Sequence, residues 1–306
     1  MFLKRFIGDR AFYKKVLVIA IPLMVQNLVT NFVNVLDNIM VGRLGTEAMS
    51  GVTIVNQFVF VFELLVFGII SGAGIFTAQY HGMKDVDGVR NTFRAKFVVS
   101  VVAAAAVILL LAVFRAPLIG LYLHEGSADS DIALAFSEAS DYLSIILVGL
   151  LPFALSQVYA STLRETEQTF VPMVSSVTAV ASNCILNFLL IFGYLGLPAM
   201  GVRGAAVATV ISRYAELLIL VLYTHTHKRR HPFIVGAYRS LRIPASLMKQ
   251  IAMKGLPLML NELFWALAIT TRNQCYSTRG LDAVAAMNTL SANQMYPSVS
   301  TPSVAE

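Results

Sequence analysis

The chain has 306 residues, of which 57% are hydrophobic and 13% charged, and its mean hydropathy is +0.71. A soluble globular chain carries about 25% charged residues, so this composition excludes a soluble enzyme, a disordered chain and a disulfide-rich secreted domain and leaves a polytopic membrane protein. The net charge of +6 raises nucleic-acid binding, which the placement of the charges decides.

Charges cluster along the chain, and the gaps between clusters have membrane length: about 20 apolar residues at 1.5 Å each cross some 30 Å of hydrocarbon. A basic N-terminus (Lys4, Arg5, Arg10, Lys14, Lys15) leads into an uncharged run over 16–36. That run is too long for a signal peptide and lacks a small-residue cleavage site, so it reads as a retained first span. The second span, 48–80, contains only Glu63 and precedes a basic loop with Lys84, Arg90, Arg94 and Lys96. The third, 97–114, is followed by an acidic loop with Glu125, Asp129, Asp131 and Glu138. The fourth covers 142–163 and the fifth starts at Val171, with a turn over 193–198 at its outer end. The sixth, 204–224, holds Arg213 and Glu216, which at i, i+3 are expected to neutralise each other. A basic segment with Lys228, Arg229, Arg230, Arg239, Arg242 and Lys249 precedes the seventh, 255–271, which holds Glu262; an eighth starts near Ala283.

These spans predict an all-α fold, a polytopic membrane helical bundle, because lipid offers no partner to exposed backbone. Lys and Arg alternate with acidic or neutral loops, and the positive-inside rule places the N-terminus in the cytoplasm of a bacterial-type inner membrane. The basic excess is then a topology signal, and nucleic acid is not an expected partner. His225, His227 and His231 lie in the basic segment with no carboxylate or thiol beside them, so a solvated loop is expected there and no metal site. Cys184 and Cys275 are expected as free apolar thiols.

The segment after the basic loop resembles the start of the chain. Lys14 aligns with Lys249, Pro22-Leu23-Met24 with Pro257-Leu258-Met259, Asn38 with Asn273, Gly45 with Gly280 and Ala48 with Ala283. A copy that begins after six spans is a parallel repeat about an axis normal to the membrane, a transporter plan. The expected organisation is a six-helix N-terminal lobe over 1–225, a basic cytoplasmic linker over 226–248 and the start of a second lobe over 249–306. A full second copy requires a longer chain, so the sequence is expected to be a fragment or truncated form.

Polar side chains inside spans mark function, because a charge in hydrocarbon costs several kcal/mol. The first span has a stripe of Asn27, Thr30, Asn31, Asn34, Asp37 and Asn38 at helical spacing. The fifth has Asn183 and Asn187 on one face, able to hydrogen-bond Asp37 or to supply oxygens to a cation. Interhelical glue is the alternative role for the amides. Glu63 and Glu262 are each a proton or cation site, or the partner of a nearby cation. Gly68, Gly72 and Gly74 permit close packing. There is no phosphate loop, no nucleophile elbow and no pair of catalytic carboxylates, so the chain is not read as an enzyme and transport would draw on an ion gradient.

Residues 35–45, Val-Leu-Asp-Asn-Ile-Met-Val-Gly-Arg-Leu-Gly, resemble the first-helix motif of multidrug and toxic compound extrusion (MATE) transporters. Ser71-Gly-Ala-Gly-Ile-Phe-Thr-Ala-Gln79, Asn183-Cys-Ile-Leu-Asn187 with Ile191-Phe-Gly193, and Gly201-Val-Arg-Gly-Ala-Ala-Val-Ala-Thr209 are similar to the same family. The resemblance implies two six-helix lobes and export of drugs or toxic organic cations in exchange for Na+ or H+, with no other cofactor or metal. It implies that Asp37 belongs to a cation or proton site lined by Asn183 and Asn187, that Glu262 serves a second such site, and that Thr209 is a weaker candidate beside Asn34 and Glu63. A flippase for lipid-linked saccharides, from the related superfamily, is the alternative; it predicts a more cationic cavity than these spans offer.

Overall fold

A computed structural model describes residues 10–122, 129–196, 198–240 and 242–277. Uncharged runs flanked by polar turns leave the backbone helical hydrogen bonding as its only saturating option. The described elements are α1 (Arg10–Gly42), α2 (Thr46–Gly82), α3 (Val86–Val113), the short α4 (Arg115–Gly120), α5 (Asp129–Glu165), α6 (Phe170–Phe192), a 3-10 turn (Tyr194–Gly196), α7 (Gly201–Thr226), a second 3-10 turn (Pro232–Ile234) and α8 (Ala245–Ser277). Among the described residues, six helices have the length and apolarity to cross a membrane: α1, α2, α3, α5, α6 and α7. The seventh expected span lies within α8; the expected eighth, and the Gly280 and Ala283 repeat positions, lie outside the described residues.

Several helices overrun the uncharged stretches that announce them. The acidic residues Asp129, Asp131 and Glu138, expected in a loop, belong to the first turns of α5. Lys96, counted as a loop cation, sits inside α3 and is fully buried. Asp85 starts α3 by accepting a hydrogen bond from the Gly88 N–H at 2.9 Å, which satisfies one of the free donors of the first turn. Gly193 ends α6 in the left-handed region, φ 75°, where a residue without Cβ is unstrained.

The backbone divides into two units, Met1–Leu256 and Pro257–Glu306. In the first, α2 packs on α3 and α5, α5 packs on α7, α6 lies between α1 and α7, and α1 packs chiefly on α6. Its core runs through Val55, Phe62, Val66, Leu143, Leu150, Ala154 and Leu163. A smaller apolar cluster joins Ala73 of α2, Ala95 of α3, and Leu247 and Ile251 of α8. There Gly72 packs so closely that a Cβ on it would fall 2.3 Å from the Gly255 Cα, which bears out the packing role expected of that glycine. In the second unit the described residues, 257–277, are helical.

The segment after α7 is folded, contrary to the solvated loop expected. His231, Phe233, Ile234 and Ala237 are buried. Arg94 donates from Nε to the Ala237 carbonyl and from Nη2 to the Gly236 carbonyl, both at 2.7 Å. Arg90 Nε reaches the Phe233 carbonyl at 3.3 Å. The Phe233 ring meets Phe93 at 5.6 Å, and the Tyr238 hydroxyl is hydrogen-bonded to that of Tyr159. Basic composition suggested solvation, but Arg90 and Arg94 of α3 fasten the segment by its carbonyls.

Candidate functional site

The site forms where α1, α6, α7 and α5 meet. Helical spacing puts Asn183 and Asn187 one turn apart on the face of α6 that packs towards α1 and α7, and both are buried. Asn187 Nδ2 donates to Asp37 Oδ1 at 2.6 Å. With the Asn183 amide in one orientation, its oxygen accepts from Asn187 Nδ2 and its nitrogen donates to Thr209 Oγ1, each at 3.2 Å. Turned by 180°, its nitrogen donates to Asp37 Oδ2 at 2.8 Å and its oxygen accepts from Thr209. The second orientation gives the carboxylate two amide donors, and sets the Asn183 nitrogen 3.2 Å from the Asn187 nitrogen. Thr209 Oγ1 in turn donates to the Ala205 carbonyl at 3.0 Å within α7.

Two features bear on what this cluster can do chemically. The carboxylate of Asp37 meets the amides of Asn187 and Asn183, and among the described residues no cation is paired with it. The Asn187 Oδ1 is buried with no hydrogen-bond partner, a costly condition for an acceptor. A carboxylate beside an unserved carbonyl oxygen is a donor set for a hard cation, and equally a place where a carboxyl proton is held and donated.

The structure brings together Asp37, Asn183, Asn187 and Thr209 of the expected residues. It places Glu63 elsewhere: its Oε1 takes Arg213 Nη2 at 3.5 Å. Arg213, expected to pair with Glu216, thus also holds Glu63, for which a nearby cation was one of the expected partners. The Arg213 guanidinium also lies 5.0 Å from the Phe153 ring centroid, and Glu216 faces Arg164 and the Ser156 hydroxyl as well as Arg213. Lys96 is bonded to Glu165, with Ser161 Oγ at 3.3 Å. The side chains of Asn34 and Glu262 lie outside those described. Asn27, Asn31 and Asn38 of the first-helix stripe are exposed, not packed between helices of this unit.

Tyr142 of α5 was not singled out in the sequence. It is buried, its hydroxyl is hydrogen-bonded to Thr209, and it is near enough to Asp37 and Arg213 to feel the charge of each. Nothing separates it in sequence from the other tyrosines, so only the packing of α5 on α7 reveals it.

The sequence profile of the MatE family matches residues 22–189. A probable multidrug resistance protein NorM of Thermotoga maritima is 29% identical over 69% of this chain and 44% of its own length. Another from Agrobacterium fabrum is 29% identical over 71% of this chain and 45% of its own. The probable multidrug resistance protein YoeA of Bacillus subtilis is 24% identical over 92% of this chain and 60% of its own. The chain thus spans about half the length of these curated relatives. Among solved structures, a MOP superfamily transporter from Pyrococcus furiosus superposes with a TM-score of 0.77 at 23% identity, over 92% of this chain and 60% of that one. An outward-facing multidrug resistance MATE family transporter gives 0.76 at 23%, with the same coverage. These superpositions establish the fold.

Proposed function

Because the chain belongs to the MatE family, we propose that it acts in secondary active export of drugs or toxic organic cations, exchanging them for Na+ or H+ bound at Asp37. The observation that carries this reading is the Asp37 carboxylate, held at 2.6 Å by Asn187 within an apolar helix bundle, with the Asn187 oxygen left unserved. An incoming ion joins the carboxylate, with Asn183 and Asn187 contributing amide oxygens, or a proton neutralises it. Either event changes the charge at the α1–α6 contact and so shifts the balance between two helix arrangements. Coupling requires only that the ion and the exported cation prefer different arrangements. Glu262 is proposed as a second ion site. The proposed location is a bacterial-type inner membrane with the N-terminus in the cytoplasm, and no catalysis is assigned.

The test is efflux of a fluorescent organic cation from proteoliposomes under an imposed Na+ or H+ gradient, with radiotracer Na+ binding to the purified chain as the direct readout. Asp37→Asn is expected to abolish both coupled efflux and ion binding, and Asp37→Glu to retain part of each. Coupled efflux that survives Asp37→Asn unchanged would overturn the assignment.

A further inference from the structure

At the end of the first unit where Lys and Arg concentrate, a cavity of about 490 Å³ opens between the α2–α3 turn, the α5–α6 turn and the segment after α7. We propose that this cavity binds the phosphate of an anionic phospholipid from the surrounding leaflet.

Its cations come from separate elements: Lys84 after α2, and Arg229 and Arg230 after α7; the His81 imidazole lines it too. Among the described residues, none of Lys84, Arg229 and Arg230 is engaged in an ion pair. Two carboxylates also line the cavity, Asp85 and Glu167; Asp85 is committed to the start of α3 through Gly88. Arginines present paired donors to phosphate oxygens, and a basic pocket between helix ends at headgroup depth suits an anionic lipid.

The backbone is built to present these groups. Both α2 and α5 end in the same turn. Lys84 N–H bonds the His81 carbonyl and Asp85 N–H that of Tyr80, at 3.0 and 2.9 Å; Glu167 bonds Arg164 and Gln168 bonds Leu163, at 3.0 and 2.8 Å. This termination places one residue in the left-handed region, usually glycine. Here the residues are Lys84, φ 59°, and Glu167, φ 64°. Both line the cavity, so side chains stand where the backbone alone would favour none.

The neighbouring surface distinguishes a lipid from a free phosphate. Val86 lines the cavity and is 37% exposed, and Met83 and Phe170, next to it in the same two turns, are each 65% exposed. These apolar side chains lead onto α3 and α6, which have membrane length. An acyl chain uses such a step and inorganic phosphate does not.

The experiment is native mass spectrometry of the full chain offered phosphatidylglycerol and phosphatidylcholine together, with inorganic phosphate as competitor. The expected result is a preference for phosphatidylglycerol of at least about tenfold, unaffected by millimolar phosphate. Lys84→Gln/Arg229→Gln/Arg230→Gln is expected to lose it, and Arg239→Gln/Arg242→Gln, outside the cavity, to keep it. Displacement by phosphate overturns the lipid assignment, as does preference that survives the triple substitution or falls equally in the control. Because the triple variant risks misfolding, a photoactivatable phosphatidylglycerol on the unaltered chain gives an independent reading. Crosslinks within 81–86 or 229–233 support the site, and crosslinks confined elsewhere overturn it.

Discussion

The Asp37 carboxylate is held by amides of α6. The unpartnered Asn187 Oδ1 is the oxygen offered to an incoming cation, and an interaction with a charged group contributes about 1.5–3 kcal/mol, so Asn187→Ala is expected to weaken ion binding roughly 10- to 100-fold. Radiotracer Na+ titration of the purified variant checks this; an unchanged affinity would make Asn187 a packing residue. Lys96 gives a different prediction. It is fully buried and bonded to Glu165, whose side chain is 17% exposed. Lys96→Met leaves that carboxylate without its cation and is expected to destabilise the unit by about 3 kcal/mol, whereas Lys96→Met/Glu165→Leu recovers most of the loss. Thermal unfolding in detergent separates the two, and a double variant no better than the single one would refute a pairing role. Asp37, Asn183 and Asn187 were legible in the sequence because an amide or carboxylate in an apolar run is conspicuous. Lys96 was not, because a cation near the end of a span reads as loop; burial by α5 decides otherwise. The Glu63–Arg213 pair was illegible for another reason: the partners lie on α2 and α7, and only the packing of both against α5 brings them together.

At the scale of elements, close helix approach and the folding of the segment after α7 govern the site's frame. A Cβ at Gly204 would fall 2.7 Å from the Leu190 carbonyl carbon and oxygen, so Gly204→Ala must push α7 off α6. Overpacking costs about 1–3 kcal/mol, and the same shift draws Thr209 from Asn183. The expected outcome is a lower melting temperature together with weaker ion binding; normal values for both would show that α6 and α7 adjust freely. The segment after α7 carries a pH dependence. Burial holds the His231 imidazole below the usual histidine range, and the nearby His227 and Arg230 push it the same way. The neutral ring is therefore favoured in the docked segment, where Tyr223 and Phe233 surround it. The undocked segment binds more protons below about pH 6.5, so docking is full above that pH and weakens as pH falls through it. Hydrogen exchange across 230–238, corrected for intrinsic rates, is expected to be faster at pH 5.5 than at 7.5, and His231→Gln should flatten the difference. Composition could not show this docking: a basic stretch reads as solvated until α3 arginines are seen gripping its carbonyls.

For the whole chain, the distribution of charge over the helix ends determines which way the helices cross the bilayer. At the end holding the α2–α3 turn, the α5–α6 turn and the segment after α7 lie Lys84, Arg90, Arg94, Arg164, Lys228, Arg229, Arg230, Arg239 and Arg242. The opposite end has Arg43, Arg115 and Arg203, with Glu47, Glu138 and Asp141 among them, and Arg203 is neutralised by Asp141 at 2.7 Å. Short loops rich in Lys and Arg stay on the cytoplasmic side, so the first end is expected inside and the 3-10 turn Tyr194–Gly196 outside. That turn offers a probe: Leu195 is 88% exposed, and Ser240 is exposed at the opposite end. In a background of Cys184→Ser/Cys275→Ser, Leu195→Cys is expected to react with a membrane-impermeant maleimide on intact cells, and Ser240→Cys only after permeabilisation. The reverse pattern would invert the topology, and with it the side from which Asp37 receives its ion and the leaflet that supplies lipid to the basic cavity. Reaction at both positions in intact cells would mean a mixed orientation, which a bias this strong does not allow.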